Sequence, residues 1–220
     1  MLIKGKVKGE TYQKLMEYLI NKSNIFEVAI HTEQYIERTN RYLKIFLNGE
    51  NCTLKDLAKN YSKEYLEYMA EKYKDNIEIY GKEVYNFTSP DGGKRAIKDH
   101  INWIYYNYIT SEFVNKYKEE MILKKVSDPS YTRYFFKLSD RLKKEILSKN
   151  SVYDWMFPYS VEDIMFYNDK DIMYASETHE NMFDVYCKNK KEYNYFKKIG
   201  IKFYKKYTFD GENGLDIILD

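Results

Sequence analysis

Asp163-Ile164-Met165-Phe166-Tyr167-Asn168, then Asp169-Lys170, then Ile172-Met173-Tyr174-Ala175-Ser176, is the stretch whose reading decides the fold. Two short apolar and aromatic runs flank a polar pair suited to a turn, which predicts two strands of a hairpin. A third strand is expected over 182–187. Asn189 with Glu192 carries the signature of a helix start and Gly200 that of a helix stop. A strand over 201–207 and a hairpin around Asp210-Gly211-Glu212-Asn213-Gly214 complete a C-terminal third that is sheet-rich with one short helix.

Upstream of that stretch the periodicity alternates between strand and helix. Leu2, Ile3 and Val7 alternate loosely with Lys, whereas Leu15, Met16, Leu19 and Ile20 recur at helical spacing. Residues 25–30 and 42–47 form β-type runs, the second closed by Asn48-Gly49. Thr53 with Asp56 resembles an N-cap, and Leu54, Leu57, Tyr61, Tyr65, Tyr68 and Met69 then make one helical stripe. A hairpin over 77–87, turning at Gly81-Lys82, leads into the loop Ser89-Pro90-Asp91-Gly92-Gly93. Ile97, Ile101, Ile104, Tyr105, Tyr108 and Ile109 return to helical spacing, with Ser111 or Pro129 expected to end the helical region. A strand over 131–138 and a short basic helix over 141–147 follow. The class is α+β, with mixed helices and a mainly antiparallel sheet. A boundary at Asp128-Pro129 would divide a 1–128 N-terminal α+β region from a 129–220 sheet-rich region; the alternative is one continuous domain.

A chain of 220 residues buries roughly two thirds of its unfolded surface, enough for a core without covalent staples. With 44% hydrophobic and 18% aromatic residues, core material is ample. Lys and Arg total 36 against 34 Asp and Glu, a net charge of +2 that argues against a dedicated nucleic-acid coat. Among the cations only Arg38, Arg41, Arg95, Arg133 and Arg141 are arginine, the side chain best suited to bidentate phosphate contacts. Abundant Lys, Asn, Ile, Tyr and Phe match the codon usage of an A/T-rich bacterial or phage genome. Cys52 and Cys187 stand far apart and form no CxxC pair, so they read as reduced thiols. The first residues lack an apolar signal core, and no apolar run is long enough to span a bilayer, so a cytoplasmic protein is expected.

Within 152–203, the residues Tyr153-Asp154-Trp155, Pro158, Glu162-Asp163-Ile164, Phe166-Tyr167, Ser176 and His179-Glu180 carry a resemblance. This segment resembles the C-terminal region of a group of small uncharacterised Firmicutes and phage proteins, some labelled as stage III sporulation proteins. A Trp is usual in that group at the position of Tyr174. The resemblance covers about a quarter of the chain and implies no particular activity.

Three constellations bear on chemistry. His179 and Glu180 place an imidazole beside a carboxylate, the pairing that a hydrolase's acid-base step uses. On an extended strand, however, neighbours point to opposite faces, and no HExxH spacing brings a second ligand into reach, so no metal site or cofactor is expected. Gly92, Gly93, Lys94 and Arg95 open a helix and offer an anion-binding turn for a nucleotide or RNA, although the P-loop pattern is absent. Basic and aromatic residues interleave over 188–198, which suits either base stacking or an amphipathic helix.

Interface-type side chains are the more abundant signal. Trp155, Phe157, Tyr159, Tyr167 and Tyr174, with His179 and Glu180, are the residues expected to meet a protein partner, because large aromatics bury much area at low conformational cost. The expected function is that of a non-enzymatic protein-binding inhibitor of the immunity, antitoxin or phage anti-defence type. Nucleotide or RNA binding, and hydrolysis at His179 and Glu180, are the alternatives.

Overall fold

The computed structural model describes residues 1–31, 43–47, 50–53, 62, 64, 77–79, 102, 105–126, 131–210 and 214–218. The stripe residues Leu54, Leu57, Tyr61, Tyr65, Tyr68 and Met69, the turn at Gly81-Lys82 and the glycine loop at 89–93 lie outside them.

The principal element is a six-stranded antiparallel sheet. Its strands are β2 (Ile25–His31), β6 (Met121–Val126), β7 (Tyr131–Lys137), β8 (Glu162–Asn168), β9 (Asp171–Glu177) and β10 (Met182–Val185), in the order β10-β9-β8-β2-β7-β6. The two central neighbours of β2 come from the far half of the chain. A division at 128 would separate β6 from β7, which are hydrogen-bonded partners. Smaller sheets are formed by β3 (Leu43–Leu47), β4 (Glu50–Thr53) and β5 (Ile77–Ile79), by β1 (Ile3–Lys4) with β11 (Lys202–Phe203), and by β12 (Lys206–Asp210) with β13 (Gly214–Ile218).

Register explains the core. Met121, Phe136, Phe26, Phe166, Tyr174 and Val185 lie directly opposite one another from β6 through to β10. Residues opposite one another share a face, so this row aims one continuous apolar band at the helices. Phe26 and Phe166 rings meet at 5.1 Å and Phe166 and Tyr174 at 6.1 Å, both edge-on.

Helix α1 (Glu10–Lys22) buries Tyr12, Leu15, Met16, Leu19 and Ile20 and packs against β8, β9 and α3 (Asp140–Ser148). A helix over 105–116, α2, adds Phe113, whose ring stands edge-on to Phe136 at 5.8 Å and to Trp155 at 6.4 Å. That helix runs past Ser111, because Ser111 lies on its exposed side and interrupts no packing. Helix α3 starts where Ser139 Oγ accepts the Leu142 N–H. Helix α4 (Lys190–Lys198) is capped by Asn189, which accepts from Glu192 N–H at 3.0 Å. It stops at Gly200, where φ is +97° and an added Cβ would meet Thr11 Oγ1 at 3.0 Å.

Trp155 is 0% exposed and is held by more than packing. Its indole N–H donates to the Tyr12 hydroxyl at 2.9 Å, and that hydroxyl donates to the Ile146 carbonyl, also at 2.9 Å. One hydrogen-bond chain thereby joins α1, α3 and the segment leading into β8. Trp155→Ala is expected to destabilise the fold by about 3–5 kcal/mol. Trp155→Phe should cost less but still about 1–3 kcal/mol, since it removes the buried donor to Tyr12. Chemical denaturation of the two variants measures both, and a wild-type midpoint for Trp155→Ala would place the indole outside the core.

Candidate functional site

The strand β8 departs from regular pairing at its start. Between Glu27 and Ala29 of β2 there is one residue, whereas between their partners Met165 and Glu162 there are two, so β8 carries a bulge of one extra residue. Asp163 takes φ of 49°, the left-handed region that aspartate tolerates better than most side chains. This breaks the alternation that would send the carboxylates of Glu162 and Asp163 to opposite faces.

The loop from β9 to β10 supplies the third group. Thr178–Glu180 forms a single 3₁₀ turn, ended by Asn181 in the left-handed conformation. Asp163 Oδ1 accepts the Thr178 N–H at 2.8 Å, which pins this turn to the bulge. His179 Nδ1 then lies 3.9 Å from Asp163 Oδ1. One ligand-type atom each from Glu162, Asp163 and His179 falls within 4.8 Å of the others.

Glu162 is the unusual member. Its side chain is 2% exposed, and its Oε1 accepts no hydrogen bond. His31 Nε2 stands 3.7 Å away, beyond hydrogen-bond reach. Burial, reinforced by the neighbouring Asp163 charge and opposed by the Tyr106 phenol, pushes the Glu162 carboxyl up to about 7. Burial also raises the Asp163 carboxyl, against the Thr178 N–H, His179 and Arg133, which favour its charged form. Arg133 is itself committed to Glu27, a buried carboxylate that also accepts the Tyr167 hydroxyl.

The sequence-predicted residues fall into three groups. Trp155 and Tyr174, expected at a partner surface, are wholly buried and belong to the core, where their rings have more apolar surface to cover than solvent would leave them. Phe157 is partly buried against the core and Tyr106, and Tyr167 is held to Glu27. Tyr159, His179 and Glu180 are exposed. His179 and Glu180 sit on the 3₁₀ turn rather than on a strand, so their side chains approach, with His179 Nε2 3.6 Å from Glu180 Oε1. Gly92, Gly93, Lys94 and Arg95 lie outside the described residues. In α4 the aromatic faces are already occupied: Tyr193 stacks on Phe203, Tyr195 on Tyr18, and Phe196 is buried.

The chain matches no family model, no curated protein and no solved structure. The site therefore stands on its own geometry. Sequence periodicity assigned Asp163 to a regular strand and gave His179 no partner other than Glu180. The available signal was the Glu162-Asp163 pair at the mouth of an otherwise apolar run, since two adjacent carboxylates entering a buried strand call for a compensating group.

The raised Glu162 carboxyl makes stability depend on pH. Its folded value, about 7, lies above its ordinary value of 4.5. The folded state therefore holds the proton across that window; the resulting stability is complete below pH 4.5 and is lost as pH rises through about 7. Its size is about 3 kcal/mol at most. In metal-free buffer, Glu162→Gln should flatten the decline of unfolding free energy between pH 5 and pH 8 and make the variant the more stable at the upper end. Parallel declines in the two proteins would show that Glu162 titrates normally.

Proposed function

We propose that the chain is a non-enzymatic protein-binding inhibitor, of the immunity, antitoxin or anti-defence type, and that it engages its target through the outer edge of β6. One observation carries this reading: β6 is an end strand of the sheet whose Ile122, Leu123 and Val126 are 57%, 51% and 64% exposed. Leu123 pairs with Phe135 and Val126 with Thr132 along a regular stretch, so these two residues lie on opposite faces and the strand presents apolar groups on both. Among the described residues no strand pairs with its outer edge. An exposed apolar edge of this kind is a template for an added strand.

Lys124 and Lys125 choose between partners. In an antiparallel pairing of two copies centred on Lys124 and Lys125 the lysines of one β6 would face those of the other, and like charges directly opposite are destabilising. An extended segment carrying Asp or Glu at those positions is favoured instead. The exposed Tyr159, Met182 and Tyr186 lie on other segments and would add to a footprint without providing backbone pairing.

Leu123→Asp with Val126→Asp is expected to leave the unfolding midpoint nearly unchanged, since surface substitutions cost within about 0.5 kcal/mol. The same variant should abolish recovery of the partner that the tagged wild-type chain captures from cells of its source. In the complex, β6 amides should exchange with solvent more slowly than in the free chain. Undiminished capture by the double variant, with unaltered exchange in β6, would refute the reading.

A further inference from the structure

We propose that Glu162, Asp163 and His179 form a binding site for a divalent cation of the Mn²⁺ or Zn²⁺ kind. The site is separate from the β6 edge, with β7 and β2 lying between β6 and β8 in the sheet. Its donors are two carboxylates and one imidazole, within 4.8 Å of one another. Carboxylates suit Mg²⁺, Ca²⁺ and Mn²⁺, whereas imidazole suits Zn²⁺ and its neighbours, so the mixed set selects cations that accept both. Ligands about 2.0–2.2 Å from a common ion lie closer together than 4.8 Å, so the site must contract slightly on binding. His179, exposed on its turn, is the donor free to move inward.

The cluster is more than a patch of acidic groups. Glu162 is almost wholly inside the protein, with an oxygen that no hydrogen bond satisfies. Thr178, 1% exposed and adjacent to His179, also keeps its Oγ1 without a partner. Two adjacent buried carboxylates are costly together, and a cation seated between them would supply the compensating charge. Around it stand Tyr106, which is neutral, His31 at 3.7 Å, and Arg133, which is engaged by Glu27. The pinning of the turn by the Thr178 N–H leaves the remaining lone pairs of Asp163 available, as a ligating carboxylate held from behind requires.

The test uses the full chain, stripped of metal, with Mn²⁺ and Zn²⁺ as the probes and Mg²⁺ for comparison. Calorimetry and the loss of the free Mn²⁺ spin signal should give one ion bound per chain, with a rise in the unfolding midpoint. Mg²⁺ should bind more weakly, since the imidazole suits it poorly. His179→Ala and Asp163→Asn should each weaken binding by about a hundredfold or more, because changing even the groups behind a ligand costs about 10–100-fold. His179 lies on an exposed turn, and Asn tolerates the backbone of Asp163 and keeps the acceptor for Thr178, so both variants should fold. Glu180→Gln should bind as wild type. Absence of binding by either ion up to about 1 mM, or affinity unchanged in His179→Ala and Asp163→Asn, would overturn the proposal. Neither result would bear on partner capture by β6.

Discussion

The row of residues from Met121 to Val185, crossing all six strands at one level, is the constraint from which the rest of the structure follows. Six residues, one from each of the six strands, must share a face and a height, and a slip of one residue in any strand would turn its member toward the opposite face. The aromatic members make such a slip costly, because Phe26, Phe136, Phe166 and Tyr174 are each 0% exposed and the Phe26–Phe166 and Phe166–Tyr174 rings meet edge-on. Trp155 closes this row from above and is in turn fixed by Tyr12 and the Ile146 carbonyl. The helices therefore have little freedom in where they settle.

That constraint also accounts for the bulge. With Phe166 locked opposite Phe26, and with Glu27 opposite Met165 on the other face, an extra residue in β8 can be accommodated only toward its start. Asp163 absorbs it in a left-handed conformation, and the consequence is chemical rather than merely geometric. The alternation fails where Glu162 and Asp163 are adjacent in β8, so both carboxyl groups enter the same small volume next to the β9–β10 turn. The fold tolerates Glu27 on the same sheet because Arg133 and Tyr167 complete it, whereas Glu162 has the Tyr106 phenol beside it and keeps His31 at 3.7 Å, with Oε1 accepting no hydrogen bond.

Much of this was legible before any coordinates. The positions Leu15, Met16, Leu19 and Ile20 identified the buried face of α1, the polar pair Asp169-Lys170 marked the β8–β9 turn, and Asn189 with Gly200 bracketed α4, because in each case burial or capping imposes a local pattern. The strand β6 left no such trace. Met-Ile-Leu-Lys-Lys-Val shows no period of two, and from Ile122 to Val126 all of it is exposed, so no buried face imposed one. His179 was misplaced on a strand for a similar reason: a 3₁₀ turn of three residues is too short to have a period. Its relation to Asp163 depends on a bulge and on a hydrogen bond that the Thr178 backbone N–H donates to the Asp163 side chain, 15 positions away.

The two unabsorbed features of the sheet are physically different and need different partners. At β6 the surplus is apolar surface and an unpaired backbone edge, which only another polypeptide segment can complete. At Glu162 it is a buried carboxyl beside a second one, its charged form disfavoured by burial and by Asp163, and the volume between two carboxyl groups and an imidazole suits a compact cation rather than a side chain. A chain that optimised only its own stability would remove both, by polar residues at 122, 123 and 126 beside the lysines that β6 already carries and by a neutral residue at 162. Their coexistence beside a core fixed at every strand argues that the fold supplies stability through the aromatic row and spends none of it on correcting these two places, which is the pattern expected where sites are kept for ligands.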